Sequence, residues 1–223
     1  MCNVRKVAQM AAYFLHRAGG GPMDHVKLMK LMYLADRRAL ATYRLPISND
    51  TYCSMKRGPV LEKTLELFEG EAVSADQAEW NSWISKKENH ALRLNRELKH
   101  GDLDRLARQE MAIMGMVYDY FGAWDWKDLV DYTHLLKEWD GPGEDADKKA
   151  RKHLGLDKIL GALPEPSKAK PLMTPGEIAS TVRYLTEIEP NIKLALSVQD
   201  FNSRKRHAPE AYAEAFEAIL NAQ

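Results

Sequence analysis

The chain has 223 residues, of which 45% are hydrophobic and 29% are charged, a composition typical of a globular protein with a packed core. Lys and Arg together number 32, as do Asp and Glu together, so the net charge is zero and the excess of cations that nucleic-acid binders use is absent. The neutral charge balance therefore argues against a nucleic-acid partner. No run of about 18 apolar residues occurs, so no membrane-spanning helix is expected.

The N-terminal residues predict two helices joined by a glycine-rich turn. The first helix is expected to run from near Asn3 to Arg17, where residues 19–22, Gly-Gly-Gly-Pro, end it. Asp24 can cap the second helix, which extends toward Tyr43. The inward face of the first helix is predicted to be Val7, Met10, Ala11, Phe14 and Leu15.

After the second helix, the hydrophobic period changes from about 3.6 to 2 and back. Pro46 stops a helix from continuing, Asn49 and Asp50 tolerate turn conformations, and residues 51–55 favour extended backbone. The sequence therefore predicts a small β-hairpin embedded between helices.

A third helix is predicted to start at Pro59, because proline after Gly58 is preset for a first helical turn. Gly70 is expected to end this helix. Its apolar stripe is Val60, Leu61, Leu65 and Phe68.

Residues 71–100 are predicted to hold a second, short extended pair. Residues 90–94 alternate like a strand after Glu88 and Asn89, which suit a turn. The residues before that turn, which include Trp80 and Trp83, fit either a strand or a helix.

Two longer helices are predicted next. Gly101 and Asp102 are expected to begin a long helix that Gly122 ends, and Asp125 to cap a further helix that reaches Trp139. The core face of the long helix is predicted to be Leu103, Leu106, Met114, Val117, Tyr118 and Phe121.

The composition changes after Trp139. Residues 164–171 alternate proline with polar residues, as exposed linkers do, and further helices are predicted from Thr174 and over residues 209–220. We expect a helical domain over residues 1–160, a linker over 161–173 and a C-terminal helical extension over 174–223. An extension of about 50 residues buries too little surface to form its own core, so it must dock on the domain, on a partner or on a second copy.

Four blocks of sequence carry a family resemblance. They lie at residues 30–36, 46–52, 58–60 and 129–139, the last with the pattern Leu-x-x-x-Thr-His followed by Trp. In this order they resemble the Panacea domain, also called the SocA-like antitoxin domain, over roughly residues 5–155. The resemblance implies a bacterial or phage protein that neutralises a co-encoded toxin by direct binding. It also implies that some relatives deliver the toxin to a protease.

Seven residues of these regions are candidates for contact with a protein partner: Lys30, Tyr33, Asp36, Asp50, Tyr52, His134 and Trp139. Lys30, Tyr33 and Asp36 lie at three-residue spacing, so they form either a polar strip for recognition or a solvated face with weak pairs of about 0.2–0.5 kcal/mol. His134 is either a buried polar anchor or partner contact, or a half-buried ring satisfied by a backbone carbonyl. The tryptophans are either binding hot spots or core residues.

Metal and cofactor chemistry is not expected. Cys2 and Cys53 are about 50 residues apart, whereas zinc ligands come in closely spaced pairs, and no phosphate-binding loop is present. Residues 1–7 lack the apolar segment of a secretory signal, which favours a cytoplasmic protein with reduced thiols. The sequence therefore predicts an antitoxin and no enzyme. The alternatives are a proteolytic adaptor, an enzyme using His134 with a nearby acid, and a DNA-binding autoregulator.

Overall fold

The computed structural model describes residues 2–141, 150–163 and 175–188. Within these ranges the protein is mainly helical with two small antiparallel sheets, which confirms the predicted fold class. The chain divides into two compact units, Met1–Ala179 and Ser180–Gln223. In chain order, the elements are α1 (Val4–Arg17), β1 (Met23–Asp24), α2 (His25–Tyr43), β2 (Tyr52–Met55), β3 (Gly58–Leu61), α3 (Glu62–Glu69), α4 (Ser74–Asn81), β4 (Ala91–Leu92), α5 (Arg108–Phe121), α6 (Trp126–His134), β5 (Lys152–His153), α7 (Leu156–Ala162), α8 (Pro175–Arg183) and a π-helical turn (Tyr184–Ile188).

Helix α2 lies at the centre of the first unit. Every residue from Leu28 to Arg37 is buried, because α1, α3, α5, α6, α7 and strand β3 all pack against this helix. A helix that is buried on all sides needs no polar face. The polar residues that α2 does carry must therefore find partners inside the fold.

The predicted caps of two helices, Asp24 and Asp125, are confirmed, and Asn3, near which the first helix was expected to start, caps that helix. Asn3 accepts a hydrogen bond from the N–H of Lys6 at the start of α1. Asp24 accepts two backbone hydrogen bonds at the start of α2, and Asp125 does the same for α6. The predicted inward face of α1 is also fully buried.

The predicted helix start at Pro59 is wrong, because residues 58–61 form the second strand of the hairpin. Strands β2 and β3 pair so that Ser54 lies opposite Pro59 and Cys53 opposite Val60. Gly58 adopts a φ of +93°, a conformation outside the helical region that favours glycine. Proline near the start of a strand is tolerated because few ladder bonds are lost there. Helix α3 starts only at Glu62 and ends, as predicted, at Gly70.

Residues 71–100 are partly as predicted. The extended pair is present, with bridges from Ile84 to Leu94 and from Glu88 to Ala91. Of the two alternatives for the residues before the turn, the helix is correct at Trp80, which lies in α4 and is the only buried residue of that helix. Strand β4 pairs with β1, which joins this region to the start of α2.

Two predicted helix ends are wrong. Helix α5 begins at Arg108 and not after Asp102, because the side chain of Gln9 bonds the backbone of Asp102 and Arg105 and holds that segment as turns. Helix α6 ends at His134 and not at Trp139, because the N–H groups of Leu135 and Leu136 form tighter i→i−3 turns.

Helix α8 confirms the helix predicted to open near Thr174. The predicted linker core at 164–171 and the predicted helix at 209–220 lie outside the described residues, and the domain boundaries stay predictions. Within the described ranges, every helix is too short or too polar to cross a lipid bilayer.

Candidate functional site

Asp36 in α2 anchors the chain that leads into the hairpin. One carboxylate oxygen, Oδ1, accepts hydrogen bonds of 2.9 Å from the backbone N–H groups of Ile47 and Ser48. The other oxygen accepts from the hydroxyls of Ser48 and Tyr52. Burial raises the pKa of Asp36 to about 6, and the hydrogen bonds to the charged form oppose that rise. The group is therefore mostly ionised at neutral pH and acts as an acceptor.

Asp50 caps helix α3 from the loop before the hairpin. Its carboxylate accepts hydrogen bonds of 2.9 Å from the N–H groups of Lys63 and Thr64, and of 2.7 Å from the Thr64 hydroxyl. Burial raises the pKa of this carboxyl as well. The first N–H groups of a helix lack intrahelical partners, so Asp50 satisfies donors that the residue at the N-cap, Leu61, does not.

Lys30 brings three of the sequence blocks together. Lys30 is 1% exposed, and its Nζ donates a 2.8 Å hydrogen bond to the carbonyl of Pro59. A Cβ on Gly58 would lie 2.5 Å from Oγ1 of Thr133 and 2.8 Å from Nζ of Lys30, so only glycine permits this approach of β3 to α2 and α6. Burial lowers the pKa of Lys30 to about 7.

Tyr33 and Arg37 share one buried acceptor, Glu138. The Tyr33 hydroxyl lies 3.0 Å and Nε of Arg37 lies 2.6 Å from Oε1 of Glu138. A second guanidinium nitrogen bonds Oε2 of Glu138 and the carbonyl of Ala162, at 3.3 and 3.4 Å. This network joins α2, the segment after α6 and α7.

Sequence reasoning did not identify Arg37 and Glu138 as important residues. A usable signal was the spacing of Arg37, which follows Lys30 by seven and Tyr33 by four positions and therefore shares their helical face. Its partner, 101 positions away, carries no comparable local signal.

His134 and Trp139 stack on each other at the end of α6. Their ring centroids are 3.8 Å apart with an interplanar angle of 8°. The indole N–H of Trp139 donates to the carbonyl of Met55, at 3.1 Å, and the ring of His134 bonds the backbone of Lys56. Burial, with the nearby charge of Lys30, lowers the pKa of His134. His134 is thus half-buried as expected, but the backbone satisfies its ring only in part, because Nε2 is buried with no hydrogen-bond partner among the described residues.

The structure thus connects the predicted residues into one internal network. Lys30, Tyr33 and Asp36 are at most 1% exposed, so the alternative of a solvated face is wrong. Asp50 and Tyr52 are buried too, which leaves His134 and Trp139 as the half-buried members. Direct partner contact by these seven residues stays a prediction, and their observed contacts hold the fold together. Among the described residues, no group of His, Cys, Asp or Glu is placed to hold a metal ion.

An exposed aromatic surface lies elsewhere, on α5 and α6. It consists of the exposed residues Met116, Tyr120 and Leu135 and the half-buried rings of Trp124 and Tyr132, and a shallow, open groove of about 440 Å³ runs along its α6 side. The two alternatives for the tryptophans, core residue or binding hot spot, therefore apply to different members of the set. Trp80 and Trp83 are core residues, 1% and 3% exposed, whereas Trp124 lines the groove.

Comparison with known families matches residues 28–140 to the family described as antitoxin SocA-like, Panacea domain. The matched range contains all seven predicted site residues and the whole of α5 and α6, the two helices that carry the aromatic surface. It confirms the resemblance inferred from the four sequence blocks. No curated protein and no solved structure matches the chain.

Proposed function

This chain belongs to the antitoxin SocA-like, Panacea domain family, and from that premise we propose that it neutralises a co-encoded protein toxin by binding it directly. Family membership supports the antitoxin role. The observation that carries the binding mechanism is the internal placement of the motif residues: Lys30, Asp36 and Glu138 are at most 2% exposed and bond groups of the same chain. Residues so enclosed cannot reach an outside substrate, which argues for a binding protein without enzymatic activity.

The internal network supports a rigid binding platform. Hydrogen bonds from α2 reach the hairpin, the segment after α6, and α7, so these elements are fixed relative to one another. A surface that is already ordered loses little conformational entropy when a partner binds. Neutralisation by occlusion needs a tight complex, and such preorganisation favours one. We place this activity in the cytoplasm.

The test is co-expression with the protein encoded beside this chain. We expect the neighbouring protein to stop growth when expressed alone, and this chain to restore growth and to copurify with it. Toxicity that persists in the presence of this chain would contradict the proposal. Toxin abundance, followed by immunoblot, separates occlusion from delivery to a protease: occlusion leaves the amount of toxin unchanged, whereas an adaptor lowers it.

A further inference from the structure

We propose that the toxin docks on the aromatic surface of α5 and α6, and that it places a cationic, partly apolar segment there. The inference rests on the proposed function and adds the docking surface and the chemistry of the segment that binds it. It starts from exposure. Tyr120 and Leu135 are each 67% exposed and Met116 is 50% exposed, and they account for three of the five exposed large hydrophobic side chains in the described part of the chain. Exposed apolar side chains that cluster in this way mark interaction sites.

The surface is built to hold its rings in place. Tyr120 and Trp124 have ring centroids 6.1 Å apart, and Trp124 meets Tyr132 edge to face at 5.8 Å. Behind them, the buried ring of Phe121 packs at 5.1 Å from Trp124 and 4.9 Å from Tyr132. Tyrosine and tryptophan are enriched among residues that dominate binding energy, and rings fixed in advance lose little entropy on binding.

The charge of the groove selects the partner. Trp124, Tyr132 and Leu135 line it together with two carboxylates, Asp128 and Asp131, and no basic side chain is among the lining residues that the structure describes.

Two lysines near these helices make contacts of their own, one on α2 and one on α6. Lys27 donates a 2.7 Å hydrogen bond to the carbonyl of Gly122, and Lys127 lies over the ring of Trp126. Asp119, beside Tyr120, is paired with Arg17. Asp128 accepts a 3.3 Å hydrogen bond from the backbone N–H of Asp125, so Asp131 is the carboxylate of the groove that we assign to a cation from the partner.

Arginine fits both features of this groove. Its guanidinium stacks on aromatic faces and also forms paired hydrogen bonds with a carboxylate. A segment with arginine and apolar residues on one face would cover Leu135 while it neutralises Asp131. The occupant is thus a basic amphipathic segment of the toxin.

The first test introduces a cation into the surface. Leu135→Lys should raise the Kd for the purified co-encoded toxin about tenfold or more, measured by isothermal titration calorimetry, because it removes apolar contact and repels a basic partner. Val73→Lys is the matched control: Val73 is 64% exposed but lies at the start of α4, and we expect a Kd within about twofold of wild type. Tyr120→Ser provides a second variant with the same expected loss, and thermal unfolding verifies that each variant is folded.

The second test concerns charge. Asp131→Asn should weaken binding and reduce the dependence of log Kd on salt, while Glu97→Gln, another exposed acid, should change neither. An unchanged Kd in folded Leu135→Lys and Tyr120→Ser, or a wild-type Kd that does not respond to salt, overturns the docking surface or its cationic occupant. If wild type sediments as a dimer that Leu135→Lys dissociates, the occupant is a second copy and the inference is overturned. A wild-type chain that does not bind the toxin at all instead overturns the proposed function, and the surface assignment with it.

Discussion

Arg37 and Glu138 form an ion pair enclosed by the fold, with Nε 2.6 Å from Oε1 and side chains 4% and 0% exposed. The two residues are 101 positions apart, so the pair fixes the central helix to the segment that follows α6. Buried pairs differ from surface pairs because removal of one member leaves the other charge desolvated.

Glu138→Ala is therefore expected to lower the free energy of unfolding by about 3–5 kcal/mol, as measured by urea denaturation. The substitution deprives Arg37 and the hydroxyl of Tyr33 of their shared acceptor. The double variant Arg37→Met with Glu138→Leu should recover much of that loss, because it removes both charges.

The exposed pair of Arg93 and Glu88 provides the control, since its side chains are 57% and 66% exposed. Glu88→Gln should change the free energy of unfolding by less than about 1 kcal/mol. A loss in Glu138→Ala no larger than in this control would show that the enclosed pair is not needed for stability.

Gly58→Ala should destabilise the fold more than an alanine at a comparable open position. Both Gly58 and Gly20 have positive φ, +93° and +77°, which costs an alanine about 1–2 kcal/mol. At Gly20 no atom lies within 4 Å of the added Cβ, whereas at Gly58 Thr133 and Lys30 do. We expect a further loss of about 1–3 kcal/mol at Gly58, from overpacking. Equal unfolding free energies for the two variants would mean that the contact of β3 with α6 adjusts without cost.

Stability should rise with pH in the neutral to mildly basic range because of Lys30. Burial lowers its pKa from 10.5 to about 7, so the unfolded chain holds a proton on Lys30 that the folded chain has lost between these values. The resulting destabilisation is absent above pH 10.5, grows as the pH falls and is complete below about pH 7. The free energy of unfolding therefore rises by at most about 1.4 kcal/mol per pH unit in this range.

Urea denaturation of wild type and Lys30→Met between about pH 7 and 8 tests this, because the cysteine thiols of the unfolded chain ionise appreciably as the pH approaches 9.0. Burial raises the pKa of Cys53 from 9.0 to about 12, so stability falls again as the unfolded thiol loses its proton. The rise of the free energy of unfolding with pH should be much smaller in Lys30→Met than in wild type. Parallel pH profiles would instead mean that Lys30 keeps its proton in the folded state.

His134→Ala is expected to leave toxin neutralisation intact in the co-expression assay, with a stability loss of about 0.5–1.5 kcal/mol from the lost stack on Trp139. Loss of neutralisation by a folded His134→Ala protein would instead identify His134 as a partner contact or a catalytic group.

Trp139→Phe keeps an aromatic ring beside His134 but removes the donor to the carbonyl of Met55, so it should lower the free energy of unfolding by about 1–3 kcal/mol.

Features that depend on neighbouring residues could be predicted from the sequence. Asp24 and Asp125 cap the helices that directly follow them, as predicted, and capping needs only a short polar side chain before a helical segment. The buried face of α1 followed in the same way from apolar spacing.

Features that depend on distant residues could not be predicted in this way. The start of α3 is set by Asp50, which bonds the N–H of Thr64 across 14 positions, and by the pairing of β3 with β2. Strand β1 has only two residues and exists because β4 pairs with it. The aromatic surface was missed for a related reason: its residues come from two helices, and Leu135 follows the last residue of α6.

The chain that follows the family match also completes the hairpin sheet. Strand β5 pairs with β2, the N–H of Leu154 donates to the carbonyl of Tyr52 at 2.9 Å, and the carbonyl of Ala162 accepts from Arg37. A fragment truncated at residue 140, where the family match ends, would therefore leave backbone N–H and C=O groups along one edge of β2 without hydrogen-bond partners. Unpaired strands of this kind recruit strands from other molecules, so the smallest version of this protein worth expressing by itself extends through α7.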